Sequence, residues 1–267
     1  MFNMFRMDIY RLIRSRFVYV CLALIIGMQA LSYLMIYMVG TEEGREAATQ
    51  AGMIVTMDEE EENILEGVDS LEMYRQALMN GGAYATIFGI ASVLFLCSDF
   101  QGGFLKNIMT QHRQRWKYIG SKLIALGSLN LIYLLLSVGA NYLLNLLWKD
   151  LVPPVPLSVF PFYLMWIWLV TMAFGAMTIM VSVFTRSTVA GVLTAVFMCS
   201  GLLMLPLSAL MDHFNLGGWM KYTLYYNMAY GPSTYSTAAD LLGAAVGLGF
   251  LAVYGTAAAV ALTKQDI

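Results

Sequence analysis

Six apolar runs, each long enough as a helix to cross the roughly 30 Å hydrocarbon core of a bilayer, leave this chain few ways to fold. They fall at residues 17–39, 77–98, 123–147, 160–184, 188–210 and 238–262. Backbone polar groups that meet lipid must be satisfied within their own segment, so the runs read as helices. The expected fold class is an all-α membrane protein with six transmembrane helices. Only 12% of the residues are charged, where soluble domains have about a quarter. Residues 1–267 therefore read as a single transmembrane domain.

Charge orients the helices, because Lys and Arg are retained on the cytoplasmic side. An inside amino terminus puts Arg6, Arg11, Arg14, Arg16, Lys106, Arg113, Arg115, Lys117, Lys122, Arg186 and Lys264 in the cytoplasm. Only Arg45, Arg75, Lys149 and Lys221 are then outside. Both termini are expected in the cytoplasm and the protein in the plasma membrane. The net charge of −2 conceals this separation, since residues 40–76 alone hold eleven carboxylates and two arginines. They read as an acidic extracellular loop. The first run is too long for a signal peptide and leads into Gly-Thr-Glu-Glu, so it is expected to remain in the mature protein. Cys21, Cys97 and Cys199 lie within runs, where free Cys acts as a small apolar residue.

Between the runs, local patterns add detail. Residues 1–16 place Phe2, Phe5, Ile9, Leu12 and Ile13 on one arc with Arg6, Arg11 and Arg14 outside it, the pattern of an interfacial amphipathic helix facing anionic lipid. Ile64, Val68, Leu71, Tyr74 and Leu78 recur at helical spacing and predict a short helix leading into the second span. The five acids 58–62 lack the alternation of a calcium loop and read as solvated. "TRS", 185–187, makes a tight hairpin of the fourth and fifth spans. Residues 211–237 interleave Trp219, Tyr222, Tyr225, Tyr226, Tyr230 and Tyr235 with small residues, an extracellular aromatic segment held at the membrane surface.

Enzymatic signatures are scarce. No phosphate-loop pattern occurs, and Gly120-Ser121-Lys122 has the wrong order for one. His112 and His213 lie on opposite sides of the membrane, and no H-E-x-x-H pair exists. No ionisable residue sits near a span centre, which removes the usual sign of an ion relay. The chain is expected not to be an enzyme, and to bind no metal or nucleic acid. The third span does carry a polar stripe. Asn130, Tyr133, Ser137, Asn141 and Asn145 share one helix face, either to line a path or to bond neighbouring helices. Gly243 and Gly247, with Ala245 and Gly249, form small-xxx-small pairs in the sixth, and Pro206 is a candidate kink in the fifth.

The most charged stretch after the acidic loop, "SDFQGGFLKNIMTQHRQRWKYIGSKL", begins where the second span ends. Residues 99–122 far exceed what a turn needs, and Phe104, Leu105, Ile108, Met109, Trp116 and Tyr118 give the stretch an apolar component. A folded cytoplasmic element with something to contact is expected. Asp99-Phe100, the glycines, Lys106-Asn107, Arg113, Arg115 and Lys122, together with the six spans and the amphipathic helix, resemble the permease subunit of type-2 ABC exporters. Those of bacterial peptide and bacteriocin self-immunity systems are included in the resemblance. Phe104 stands where that family usually has Thr, and His112 near its Ser.

The resemblance implies that 99–122 is a coupling helix docked on a separate ATPase, with Asp99, Phe104, Leu105, Lys106, Asn107, Arg113 and Arg115 as coupling residues. It further implies a second permease chain, identical or homologous. The chain itself would need no cofactor, with ATP and Mg held by the ATPase. The cargo could be a peptide, a lipid-like molecule, a drug or sodium. A non-transporting membrane scaffold or sensor with an acidic outer domain is the alternative, and a membrane-embedded enzyme would need His, Asp or Glu clusters that the sequence does not offer.

Overall fold

The computed structural model describes residues 2–50, 68–102, 115–148 and 151–264, and all regular elements among them are helical. Helix α1 (Phe2–Arg14) is followed at once by α2 (Arg16–Gly40), and α3 (Glu42–Gln50) continues beyond it. Next come α4 (Ser70–Arg75), which widens into a π turn at Gln76–Asn80, and α5 (Ala83–Gln101). Long helices α6 (Arg115–Leu147) and α7 (Phe160–Thr185) follow. The chain then forms α8 (Thr188–Thr194) with a π turn at Ala195–Cys199, α9 (Met204–His213), α10 (Leu224–Tyr230) and α11 (Leu242–Lys264). Asp69 caps α4 by accepting from the amides of Leu71 and Glu72, and Thr223 caps α10 by accepting from that of Tyr226, the usual use of short polar side chains at helix starts.

Five helices are long and apolar enough to cross a membrane: Arg16–Gly40, Ala83–Gln101, Trp116–Leu147, Phe160–Thr185 and Ala238–Lys264. The protein is therefore an all-α chain with several potential membrane crossings. The run at 188–210 does not form one helix. Its apolar helical part ends at Cys199, and Gly201, at φ +76, separates it from α9. The break does not sit at Pro206. That proline occupies the first turn of α9, where no intrahelical bond needs its missing N–H.

Helix α7 is the central post. Tyr163, Trp166, Ile167, Val170 and Ala173 are fully buried, and α5, α6 and α11 pack around it. Gly243 and Gly247 lie on the face of α11 that meets α7, against the Trp166 ring and the Leu169 backbone. Ala245 and Gly249 are exposed. Outward faces carry Leu24, Leu31, Ile132, Leu135 and Val253 about half exposed, an apolar perimeter suited to lipid. Near the acidic end, Leu71, Tyr74 and Leu78 are buried as one face of the 70–80 helix, while Ile64 lies outside the described residues. The aromatic segment is folded down onto the bundle: Arg75 donates to the Ala229 carbonyl at 3.0 Å, and Gly231 lies against Trp166.

Candidate functional site

At the basic end, three elements meet around a buried cluster of charge. Helix α1 turns Met4, Asp8 and Leu12, spaced four apart, toward the bundle, and Asp8 is only 1% exposed. Ile13, on the apolar arc read in the sequence, is 59% exposed, on a side of the helix that the bundle leaves uncovered. The end of α5 contributes Asp99, the start of α6 Tyr118, Ser121 and Lys122, all buried. Lys122 Nζ lies 2.7 Å from Asp8 Oδ1 and 2.7 Å from Asp99 Oδ2. Tyr118 donates to Asp99 Oδ2 at 2.7 Å, and Ser121 donates to Asp8 Oδ2 at 3.0 Å.

Arg11 completes the cluster. One guanidinium nitrogen is 2.5 Å from Asp99 Oδ1 and another donates to Ser98 Oγ at 3.3 Å. Two carboxylates face two cations, so the cluster is neutral, and each carboxylate oxygen has a partner. That arrangement offsets the several kcal/mol that each ion loses on leaving water. Phe95 closes the apolar side, its ring centroid 3.9 Å from Lys122 Nζ.

Of the expected coupling residues, Asp99 belongs to this cluster and Arg115 begins α6. Phe104, Leu105, Lys106, Asn107 and Arg113 lie outside the described residues. The cluster nevertheless ties Asp99, just before residues 103–114, to Lys122, just after them. Asp8 is the member that sequence reading missed. Its signal was available: the carboxylate shares a helix face with Met4 and Leu12, so it enters the interior with them.

The polar stripe of α6 is buried along its whole length. Asn130 donates to Thr171 Oγ1 at 2.8 Å and accepts from the Tyr84 hydroxyl at 2.8 Å. The Tyr133 hydroxyl donates to the Val18 carbonyl at 2.6 Å. Ser137 Oγ and the Tyr74 hydroxyl are 2.9 Å apart. Asn141 donates to the Ser70 carbonyl at 2.9 Å, and Asn145 brackets Val152, donating to its carbonyl and accepting from its amide. These bonds run to α2, α4, α5, α7 and the α6–α7 connection. Within one chain the stripe joins helices.

A third feature lies nearer the acidic end, where two helix breaks touch. Gly82, at φ +65, follows the π turn 76–80, and Gly201 follows the π turn 195–199. Each occupies the left-handed region open mainly to glycine. A Cβ at Gly82 would overlap the Cys199 carbonyl, and one at Gly201 would overlap the Tyr225 ring. The Tyr225 hydroxyl donates to the Asn80 carbonyl, satisfying an acceptor near the break. Beside it, a cavity of about 200 Å³ is bordered by Gly201, Met204, Tyr225, Tyr226 and Tyr230.

Among the described residues, no group of three or more His, Cys, Asp or Glu is arranged to hold a metal ion. No protein-family model matches the chain, and no curated protein matches it.

Proposed function

We propose that the chain is the permease subunit of an ATP-driven exporter of the type-2 ABC kind. It would contribute to a translocation path and couple to a separate ATPase. The observation that carries this reading is the cluster of Asp8, Arg11, Asp99 and Lys122. It fixes both shoulders of the polar segment 103–114 to each other and to the amphipathic helix. A simple turn needs far fewer residues, as the two between α7 and α8 illustrate. A rigid mounting passes a push on the segment to α5 and α6 instead of absorbing it.

In this reading the segment docks on the ATPase through Phe104 and Leu105, with Lys106, Asn107, Arg113 and Arg115 around them. The interrupted stretch 188–213 serves as the remaining membrane crossing, which with the five long helices makes six. ATP and Mg belong to the ATPase, and a second permease chain, identical or homologous, supplies the other half of the path. Both termini face the cytoplasm of a bacterial cell. The cargo classes are a peptide, a lipid-like molecule, a drug or sodium.

The test is co-expression with the ATPase encoded in the neighbouring reading frame, one carrying both a phosphate loop and an ABC signature. The two should co-purify in mild detergent with ATPase activity. Phe104→Asp or Leu105→Asp should uncouple them, since burial of such a side chain is worth roughly 1.5–3 kcal/mol. A permease that binds no ATPase, or whose two Asp variants transport as the parent does, would remove the reading and leave the membrane scaffold.

A further inference from the structure

At the other side of Arg11, where α1 gives way to α2, a cavity of about 660 Å³ opens between these helices, the end of α5 and the start of α8. It is lined by the polar side chains of Arg11, Arg14, Ser98 and Gln101 and by apolar ones that include Phe17 and Leu94. Its size is in the range of about 300–1,000 Å³ typical of small-ligand sites. None of the described residues that line it is acidic. The cluster's two carboxylates are nearby but buried and engaged with Lys122 and Arg11.

The two arginines are held in place. Arg14 lies with its guanidinium carbon 4.8 Å from the centroid of the Tyr10 ring, a stacking that limits its swing. Arg11 is anchored by Asp99 and Ser98. Guanidinium groups present planar forks of N–H donors that match phosphate oxygens. Polar and apolar side chains share the lining, as a molecule with a charged head and a hydrocarbon body requires. The cavity also lies at Ser15, the single residue between the amphipathic helix and the first span, which is the level of the headgroups.

We infer that this cavity binds an anionic phospholipid of the cytoplasmic leaflet, its phosphate at Arg14 and Arg11 and its first acyl carbons along Phe17 and Leu94. The inference is independent of the proposed transport function, because such a site would serve a scaffold as well as a permease. It assigns α1 a defined lipid partner beyond general attraction to a negative surface.

Native mass spectrometry of the purified protein in a neutral detergent tests it. The probes are phosphatidylglycerol, phosphatidylcholine with the same acyl chains, and glycerol 3-phosphate. Phosphatidylglycerol should be retained about tenfold over phosphatidylcholine, because both headgroups offer the phosphate but the fixed positive charge of choline is repelled by Arg11 and Arg14. Arg14→Ala should abolish most of that preference and Arg14→Lys only part of it. Arg6→Ala, an exposed position on the same helix away from the cavity, should leave it intact. Leu94→Trp, which fills the wall, should weaken both lipids, and thermal melting verifies that each variant is folded. Equal retention of the two lipids, or equal effects of Arg6→Ala and Arg14→Ala, would reduce the site to diffuse attraction and overturn the inference. Glycerol 3-phosphate bound as tightly as phosphatidylglycerol would overturn it too, in favour of a soluble anion.

Discussion

Lys122 Nζ lies 2.7 Å from Asp99 Oδ2, so the residues that flank the polar segment between α5 and α6 are joined to each other. Lys122 also holds Asp8, and its removal would leave two buried carboxylates without their shared cation. Lys122→Met is expected to destabilise the protein by about 3–5 kcal/mol, the usual cost of orphaning a buried charge. Tryptophan fluorescence during thermal melting in detergent measures it. Adding Asp8→Asn to Lys122→Met should recover part of the loss, because Asp99 keeps Arg11 and the Asp8 charge left without Lys122 is then gone.

The stripe of α6 makes a prediction of opposite kind for each of its two readings. Asn141→Leu or Asn145→Leu should lower the melting temperature, each lost side-chain bond costing about 0.6 kcal/mol and at most roughly 1.7 kcal/mol in a membrane bundle. Asn145 should be the more sensitive, having both a donor and an acceptor bond to Val152. Variants that melt like the parent yet lose transport would instead assign these side chains to a path.

How much of this was legible beforehand differs by feature. The run at 160–184 became Phe160–Thr185, since hydropathy over a long continuous helix is a local property. The stripe's common face was also readable, because helical periodicity fixes it, but its partners lie on helices distant in sequence. The break at Gly201 escaped detection for a backbone reason: the surrounding residues are as apolar as a continuous span, and a left-handed φ leaves no mark in hydropathy. Asp8 was missed although it shares a face with Met4 and Leu12, because a lone carboxylate among arginines also fits a solvated face and its lysine lies 114 positions away.

The touching helix breaks predict strong sensitivity at two glycines. Gly201→Ala should lower folded yield sharply, since a left-handed backbone costs a residue with a Cβ about 1–2 kcal/mol before the overlap with Tyr225 is counted. Tyr225→Ala combined with Gly201→Ala should relieve the overlap. Size-exclusion yield of the two single variants and the double one reads that coupling, and strict additivity would mean that the ring contact does not matter.

Orientation has its own measurement. Cys21, Cys97 and Cys199 are all buried, so the native chain should react little with an impermeant thiol reagent. Trp219→Cys, at a residue 62% exposed, should label on intact cells, whereas Arg186→Cys should label only after permeabilisation. The reverse pattern would invert the topology and put the polar segment 103–114 out of reach of any cytoplasmic ATPase.

The contact between Asp8 and Lys122 spans 114 positions of the sequence, and this sets an order of events during synthesis. At about 5–20 residues per second, the ribosome has placed α1 at the membrane for on the order of ten seconds before the lysine emerges. During that interval Asp8 lacks Lys122, the cation it meets in the interior, and the helix rests among headgroups and water. The same surface therefore serves two hosts in succession, first lipid and then the completed hairpin of α5 and α6. Docking of the amphipathic helix therefore waits on the far shoulder of the polar segment rather than on its own synthesis.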